Sequence, residues 1–460
     1  MSESERQWAQ FCGLARTSHG DLLDCEAPVY GARAPGRLDV MGGVGDYSGS
    51  VVLESTLALA TFVAVQERAD RQIRMRSIGA GRTRDAVIPL EWLLSEGRLA
   101  SPDEVNGALT ASRENRWSAY VAGCLYMLAA EGFTDLTRGH GMNILVQSNV
   151  PIGAGVSSSA ALEVSVMTAL TGLFGIQMDG MEIARLCQAV ENRVVCAPCG
   201  IMDQVTCALG REDALLALKC QPHDVLGYEA VPPGWRFVGI DSGVKHSVGG
   251  RAYAKARIGA FMGYAIARQL TGDAWDGYLC NLDVDSWNAI CGEIPEELTG
   301  EEFTRRFGPL GDPVSRVIPE ETYRVRACTE HPILENARVR EFLTLMELAQ
   351  ADSDKELMVE AGRLMVEAHR SYSERVDLGS AETDLLVELA MREGPANGVY
   401  GAKITGGGSG GTVAILCGPD SDAVIDRIRS EYGRCTNTNP LLMKGSSAGA
   451  AEFGVRRIAD

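Results

Sequence analysis

Asn149-Val150-Pro151-Ile152-Gly153-Ala154-Gly155-Val156-Ser157-Ser158-Ser159-Ala160 is the stretch around which the chain is organised. The apolar run Met142 to Val150 leading into it predicts a strand. Leu162, Val166, Leu170 and Phe174 follow at helical spacing and predict a helix ending near Gly175. Between them lies a loop of small residues. Gly153 and Gly155 carry no side chain, so backbone N–H groups can come close to a ligand. Ser157, Ser158 and Ser159 stand where the first helical N–H groups have no intrahelical acceptor. Two readings fit. The hydroxyls cap the helix, or they share that end, with its roughly half positive charge, with an anion such as phosphate.

Upstream, Ala34-Pro35-Gly36-Arg37-Leu38-Asp39-Val40-Met41-Gly42-Gly43-Val44-Gly45-Asp46-Tyr47 forms a glycine-rich loop between strand-like runs, of which Thr61 to Val65 is the clearest. Arg37 and Asp46 are charges within small and apolar residues. They either pair with each other or face a polar ligand. Downstream, a helix is expected from Met181 to Val194, carrying Glu191. Asp203 follows in Cys199-Gly200-Ile201-Met202-Asp203-Gln204. An acid between apolar residues is either a helix cap or a desolvated functional group. Further on, Gly401 to Leu416 places apolar β residues on both sides of Gly406-Gly407-Gly408-Ser409. A dinucleotide-binding turn must open a helix. Val413 to Leu416 reads as a strand, so this is a glycine hairpin.

The remaining chain fills in around these stretches. Helices are expected over 3–16, 115–131, 251–270, 338–352, 354–372, 381–392 and 421–433. Residues 286–340 read as an irregular insertion. Trp117 and Tyr120 fall on the inner face of the 115–131 helix, where core packing is the ordinary expectation. Residues 235–248, a buried-type strand ending in a polar turn, mark a boundary between domains 1–235 and 236–460. Cys196-Ala197-Pro198-Cys199 is a CxxC without a second pair at zinc-ribbon spacing, so it reads as two thiols flanking a proline-shaped turn.

With 460 residues the chain is long enough for two or three domains. A net charge of −18 argues against a nucleic-acid partner. No apolar run reaches the ~20 residues that a bilayer requires. The polar start, Met1 to Arg6, and the 13 scattered cysteines predict reduced thiols and a cytoplasmic setting.

Three glycine-rich stretches in this order resemble the GHMP small-molecule kinases. Pro35-Gly36-Arg37 with Gly42 and Asp46-Tyr47 looks like the galactokinase signature. Cys199 to Gln204 is similar to that family's base motif, and Arg116 to Val121 to its adenine-side helix. Within the family, Ala34 to Gly43, Gly401 to Thr412 and Gly445 to Ala450 look like the L-arabinokinase pattern. The resemblance implies an α+β, two-domain fold with the active site in the interdomain cleft. It implies ATP and Mg²⁺, a small sugar, and a monomer or homodimer. It places ATP phosphates on Gly153 to Ser159 and Mg²⁺ at Ser159 and Glu191. Asp203 would be the base on the anomeric hydroxyl, with Arg37 beside it. Asp46, Gly200 and Tyr253 would border the sugar, Trp117 and Tyr120 the adenine.

Galactokinases carry Glu-His where this chain has Gly43-Val44, near the sugar's exocyclic CH₂OH. L-Arabinopyranose is the galactose ring without that group. A galactose hydroxyl left unpaired against Val44 costs ~1–3 kcal/mol, roughly 10- to 200-fold in selectivity. The expectation is therefore L-arabinose phosphorylated to L-arabinose 1-phosphate. If the loop turns away from the sugar, galactose or a uronic acid fits instead. A non-catalytic sugar sensor is the rival from another class, but it would have shed the base, a metal ligand or the serines that this chain keeps.

Overall fold

A computed structural model describes residues 2–17, 21–24, 26–79, 82–112, 115–197, 199–245, 250–352 and 354–458. Pro198 and His246, within the turns expected after Cys196 and Lys245, lie outside the described residues.

The first layer is a mixed sheet. Its strands are β1 (Tyr30–Met41), β2 (Val51–Glu67), β3 (Gln72–Gly79), β4 (Arg82–Pro89), β5 (Met142–Ser148), β6 (Ala214–Lys219) and β7 (Asp224–Ala230). β1 and β2 are antiparallel, and β5 joins β2 on one side and β3, in parallel, on the other. β2 is long because, opposite β1, its other edge serves two partners. Thr61–Glu67 pairs with β5, and Val51–Ser55 with β6. A bulge between Pro35 and Arg37 turns β1 toward the loop after β5. Gly36 is needed there, since a Cβ would lie 2.8 Å from the Val156 carbonyl oxygen.

One face of this sheet is covered by α1 (Glu3–Thr17), whose Trp8 and Phe11 pack with Phe62 and Leu145. The other is covered by α2 (Ser118–Ala130), α3 (Ser158–Phe174), α4 (Gly180–Ala189) and α5 (Met202–Leu209). α3 is apolar nearly all round, as a helix buried between sheet and neighbours must be. The helix expected over 181–194 ends as α4, and Val190–Val195 continues as a π-turn. Such an insertion is frequent at functional sites, and this one carries Glu191.

The second layer is an antiparallel sheet of β8 (Arg236–Asp241), β9 (Val399–Ile404), β10 (Thr412–Cys417) and β11 (Leu442–Met443), in the order β9–β10–β8–β11. β9 and β10 are the two arms of the glycine hairpin. α6 (Arg251–Thr271), α7 (Val325–Asp352), α8 (Lys355–Glu374), α9 (Ala381–Glu393) and α10 (Asp422–Thr436) are the long helices of the second half, and shorter ones lie at Pro102–Thr110, Val284–Ile290 and Gly300–Phe307. The last strand, β12 (Arg456–Arg457), returns to pair with β1 of the first sheet. The fold is α+β.

A second element departs from expectation. α7 begins at Val325, not near residue 338, and Pro332 lies inside it. Its early turns carry buried His331, Glu335 and Asn336. A proline with polar residues hid the helical period, and those side chains are buried because they bind the loop after β1.

Candidate active site

The loop after β5 is held so that its carbonyls turn into the protein. Ala154 O accepts from Thr412 Oγ1 at 2.8 Å, Gly155 O from Arg37 Nη1 at 2.7 Å, and Val156 O from Arg37 N at 3.2 Å. Gly153 and Gly155 take φ of +73° and +71°, which glycine alone adopts without cost. Ser157 also sits at φ +60°, and it starts α3 with no side-chain cap. Its hydroxyl is buried without a partner. The capping reading of the serines therefore fails for Ser157. The helix end keeps free donors and an unsatisfied hydroxyl, the arrangement an anion occupies.

Arg37 and Asp203 face this loop. Asp203 Oδ1 accepts from Arg37 Nε at 3.1 Å and from Nη2 at 2.6 Å. They pair with each other, whereas Arg37 and Asp46 do not. A second carboxylate, Glu54, lies 3.2 Å from Arg37 Nε. Burial, then Asp39, push Glu54 well above the usual carboxylate range. Asp203 is the more exposed of the two, with 24% of its side chain accessible against none for Glu54. It is therefore the acid a substrate can reach.

Asp46 is buried against Gly200, where a Cβ would come within 1.5 Å of its carboxylate. Only glycine fits at 200. Burial, then Asp203, raise Asp46 to about 6, with Arg257 opposing. Tyr253 on α6 stands edge-on to Tyr47 at 6.0 Å. Val44 is buried at φ +60°, an outlier for a β-branched residue that costs of order 1–3 kcal/mol. Gly43 does not line the cavity. Its missing side chain is replaced by Asp39 Oδ2 and Tyr372 Oη, each 2.0 Å from where a Cβ would be.

Arg37, Asp203, Val44, Asp46, Gly200 and Tyr253 thus share one cavity with Gly153, Gly155, Val156, the three serines and Gly407. Ala154 is buried behind the loop. Of the hairpin tip, Gly407 lines the cavity. Gly406 N donates to Asp39 Oδ2 and Ser409 N to Leu378 O. Gly408 packs on Leu378 and Tyr372. Glu191 hydrogen-bonds Ser159 and Cys199, and burial raises it to about 7. A larger cavity of about 530 Å³ adjoins through Gly153 and is lined by Ser77, Gly79, Arg82, Arg84, Val244 and Lys245 among others. Trp117 and Tyr120 line neither cavity. Trp117 packs against the main core, and Tyr120 is close enough to Glu191 and Glu163 for their charge to raise its hydroxyl further after burial.

Sequence reasoning passed over the support behind the site. Asp39 and Lys403 form a fully buried ion pair at 2.9 Å, joined by Tyr372. Arg257 pairs with Asp312 at 2.8 Å and faces Asp46. The available signal was a single lysine inside the apolar strand Val399–Ile404.

Comparison with known proteins gives the class first. The GHMP kinase N-terminal domain matches residues 119–211, and the GHMP kinase C-terminal domain residues 347–434. The structure of Lactococcus lactis galactokinase complexed with galactose superposes with a TM-score of 0.69, covering 97% of this chain and all of that one at 22% identity, which establishes the fold. An L-arabinokinase from Arabidopsis thaliana is 36% identical over the whole chain, and this chain spans 49% of its length. Chloroflexus aggregans galactokinase is 31% identical, covering 85% of this chain and 84% of the relative. The chain belongs to the galactokinase subfamily of the GHMP kinases, and so to the sugar kinases. Among the described residues, no helix is long and apolar enough to cross a membrane.

Proposed function

We propose that the protein transfers the γ-phosphoryl group of ATP to the anomeric hydroxyl of L-arabinose, giving L-arabinose 1-phosphate. One observation carries the sugar assignment. Val44 lines the cavity with Asp46 and Asp203, while the space a side chain at 43 would need is filled by Asp39 and Tyr372. That edge of the site offers carbon where a hexose would bring a hydroxyl. The 36% identity to an L-arabinokinase supports the same reading.

Phosphoryl transfer needs positioning and charge neutralisation more than covalent help. The free end of α3 and the Ser157 hydroxyl receive the phosphates, and the adjoining cavity offers room for the nucleoside. Asp203 accepts the proton from the attacking hydroxyl. Arg37 orients that carboxylate and stands beside the transferring group. Asp46 accepts hydrogen bonds from ring hydroxyls. Ser159 and Glu191 supply hard oxygen donors, the type Mg²⁺ takes with one or two protein ligands beside substrate phosphates. A bound Mg²⁺ supplies positive charge at the phosphates; orientation and proton removal stay with Asp203 and Arg37.

ADP release measured against L-arabinose, D-galactose, D-galacturonate and D-glucuronate, with ³¹P NMR of the product, tests the assignment. Turnover is expected with L-arabinose, giving a phosphate on C1. Turnover confined to galactose or to a uronate, or a phosphate elsewhere on the ring, refutes it.

A further inference from the structure

We propose that His331, on α7 and outside the cavity, is a specificity-determining positioning residue: it fixes the peptide between Gly43 and Val44 and so holds Val44 against the sugar. The proposal rests on the sugar-kinase reading above.

The hydrogen bonds define the imidazole's state. His331 Nε2 lies 3.1 Å from the Gly43 carbonyl oxygen, which can only accept, so Nε2 carries the proton. Nδ1 then accepts from the Ser371 hydroxyl of α8 at 2.8 Å. The ring is fully buried and stands edge-on to Tyr372, 5.4 Å away at 88°. Burial pushes its pKa down to about 4, so it stays neutral and keeps this tautomer near neutral pH.

α7 grips the same loop on both sides. Glu335 Oε1 accepts from Gly42 N and Asn336 Oδ1 from Val51 N, each at 3.0 Å. Tyr372, next to Ser371 in α8, closes over Gly43. The carbonyl His331 holds belongs to the peptide from which the φ bond of Val44 departs. Valine disfavours the left-handed φ it takes here. Without the donor at Gly43, that peptide can turn and carry Val44 out of the cavity wall. None of His331, Glu335, Asn336 or Ser371 lines the cavity, so an effect on the sugar is indirect, and the hydrogen bond to Gly43 O is the direct link from His331 to the loop that carries Val44.

The test is kcat and KM for L-arabinose, D-galactose and ATP in the wild type, His331→Ala and His331→Gln, with thermal unfolding in parallel. His331→Ala is expected to raise KM for L-arabinose about 10-fold or more and to narrow the preference over galactose. KM for ATP should stay within about twofold. His331→Gln, whose amide can still donate to Gly43, should recover most of the loss. A purely structural role would lower the active fraction, and hence kcat for both sugars, with KM and preference unchanged; that outcome overturns the proposal. If His331→Ala does not fold, Ser371→Ala is measured in its place. The same rise in sugar KM alone is expected there, and its absence counts against the proposal equally. A wild type that phosphorylates neither sugar defeats the kinase reading instead, and the proposal with it. A wild type that prefers galactose defeats only the pentose assignment, and the sugar-specific KM effect is then read on galactose.

Discussion

Arg37 divides its donors among Asp203, the Gly155 carbonyl and the neighbourhood of Glu54. It therefore sets the distance between Asp203 and the glycine loop. Replacing Asp203 by Asn keeps the size and one acceptor oxygen but removes the proposed base. A kcat loss of about 10²–10⁴-fold is expected, with sugar and nucleotide binding retained by calorimetry. Asp46 gives a pH prediction. Its folded pKa of about 6 lies above its ordinary value of 3.8, so the folded state binds this proton more tightly than the unfolded chain. Its stabilising contribution is complete below about pH 3.8 and is lost as pH rises through about 6. The linkage is worth about 3 kcal/mol for a fully buried group. Without sugar, the stability of the wild type relative to Asp46→Asn should fall by that order between pH 4 and 7 in urea melts. Gly43 gives a third. Even Gly43→Ala puts a Cβ against Asp39 and Tyr372 and should destabilise by about 1–3 kcal/mol or more in the same melts.

The hairpin of β9 and β10 is fastened to β1 by Lys403 and Asp39, both fully buried. Lys403→Met strands a carboxylate in the core and should cost about 3–5 kcal/mol in a urea melt. The double variant Asp39→Asn with Lys403→Met should recover part of that, because the stranded charge is gone. Much at this scale was legible in the sequence. The strand–loop–helix around Gly153 and Gly155 and the hairpin around Gly406–Gly408 announce themselves through runs of small residues between apolar segments. The early turns of α7 did not, since Pro332, His331, Glu335 and Asn336 read as loop chemistry when their partners are residues 42, 43 and 51, far back in the chain. The π-turn bearing Glu191 was hidden too, because one extra residue per turn leaves little mark on an apolar period. Lys403 and Tyr372 look like ordinary members of their elements until the packing of β9 and α8 against Asp39 of β1 is known.

Across the whole molecule, the site is assembled from distant parts of the chain. β1 supplies Arg37, the loop before β2 supplies Val44 and Asp46, α5 supplies Asp203, α6 supplies Tyr253 and the hairpin supplies Gly407. That Arg37, Asp46 and Asp203 converge on the glycine loop was legible through the family resemblance. What buttresses them was not, because Arg257 with Asp312 and His331 with Ser371 are pairings between segments. The proposed chemistry needs Val44 to meet a bare ring carbon in the cavity it shares with Asp203. The direct test is kcat/KM for L-arabinose against D-galactose under one set of conditions. L-Arabinose is expected to be preferred by roughly 10- to 200-fold; equal values, or a preference for galactose, would refute the pentose assignment.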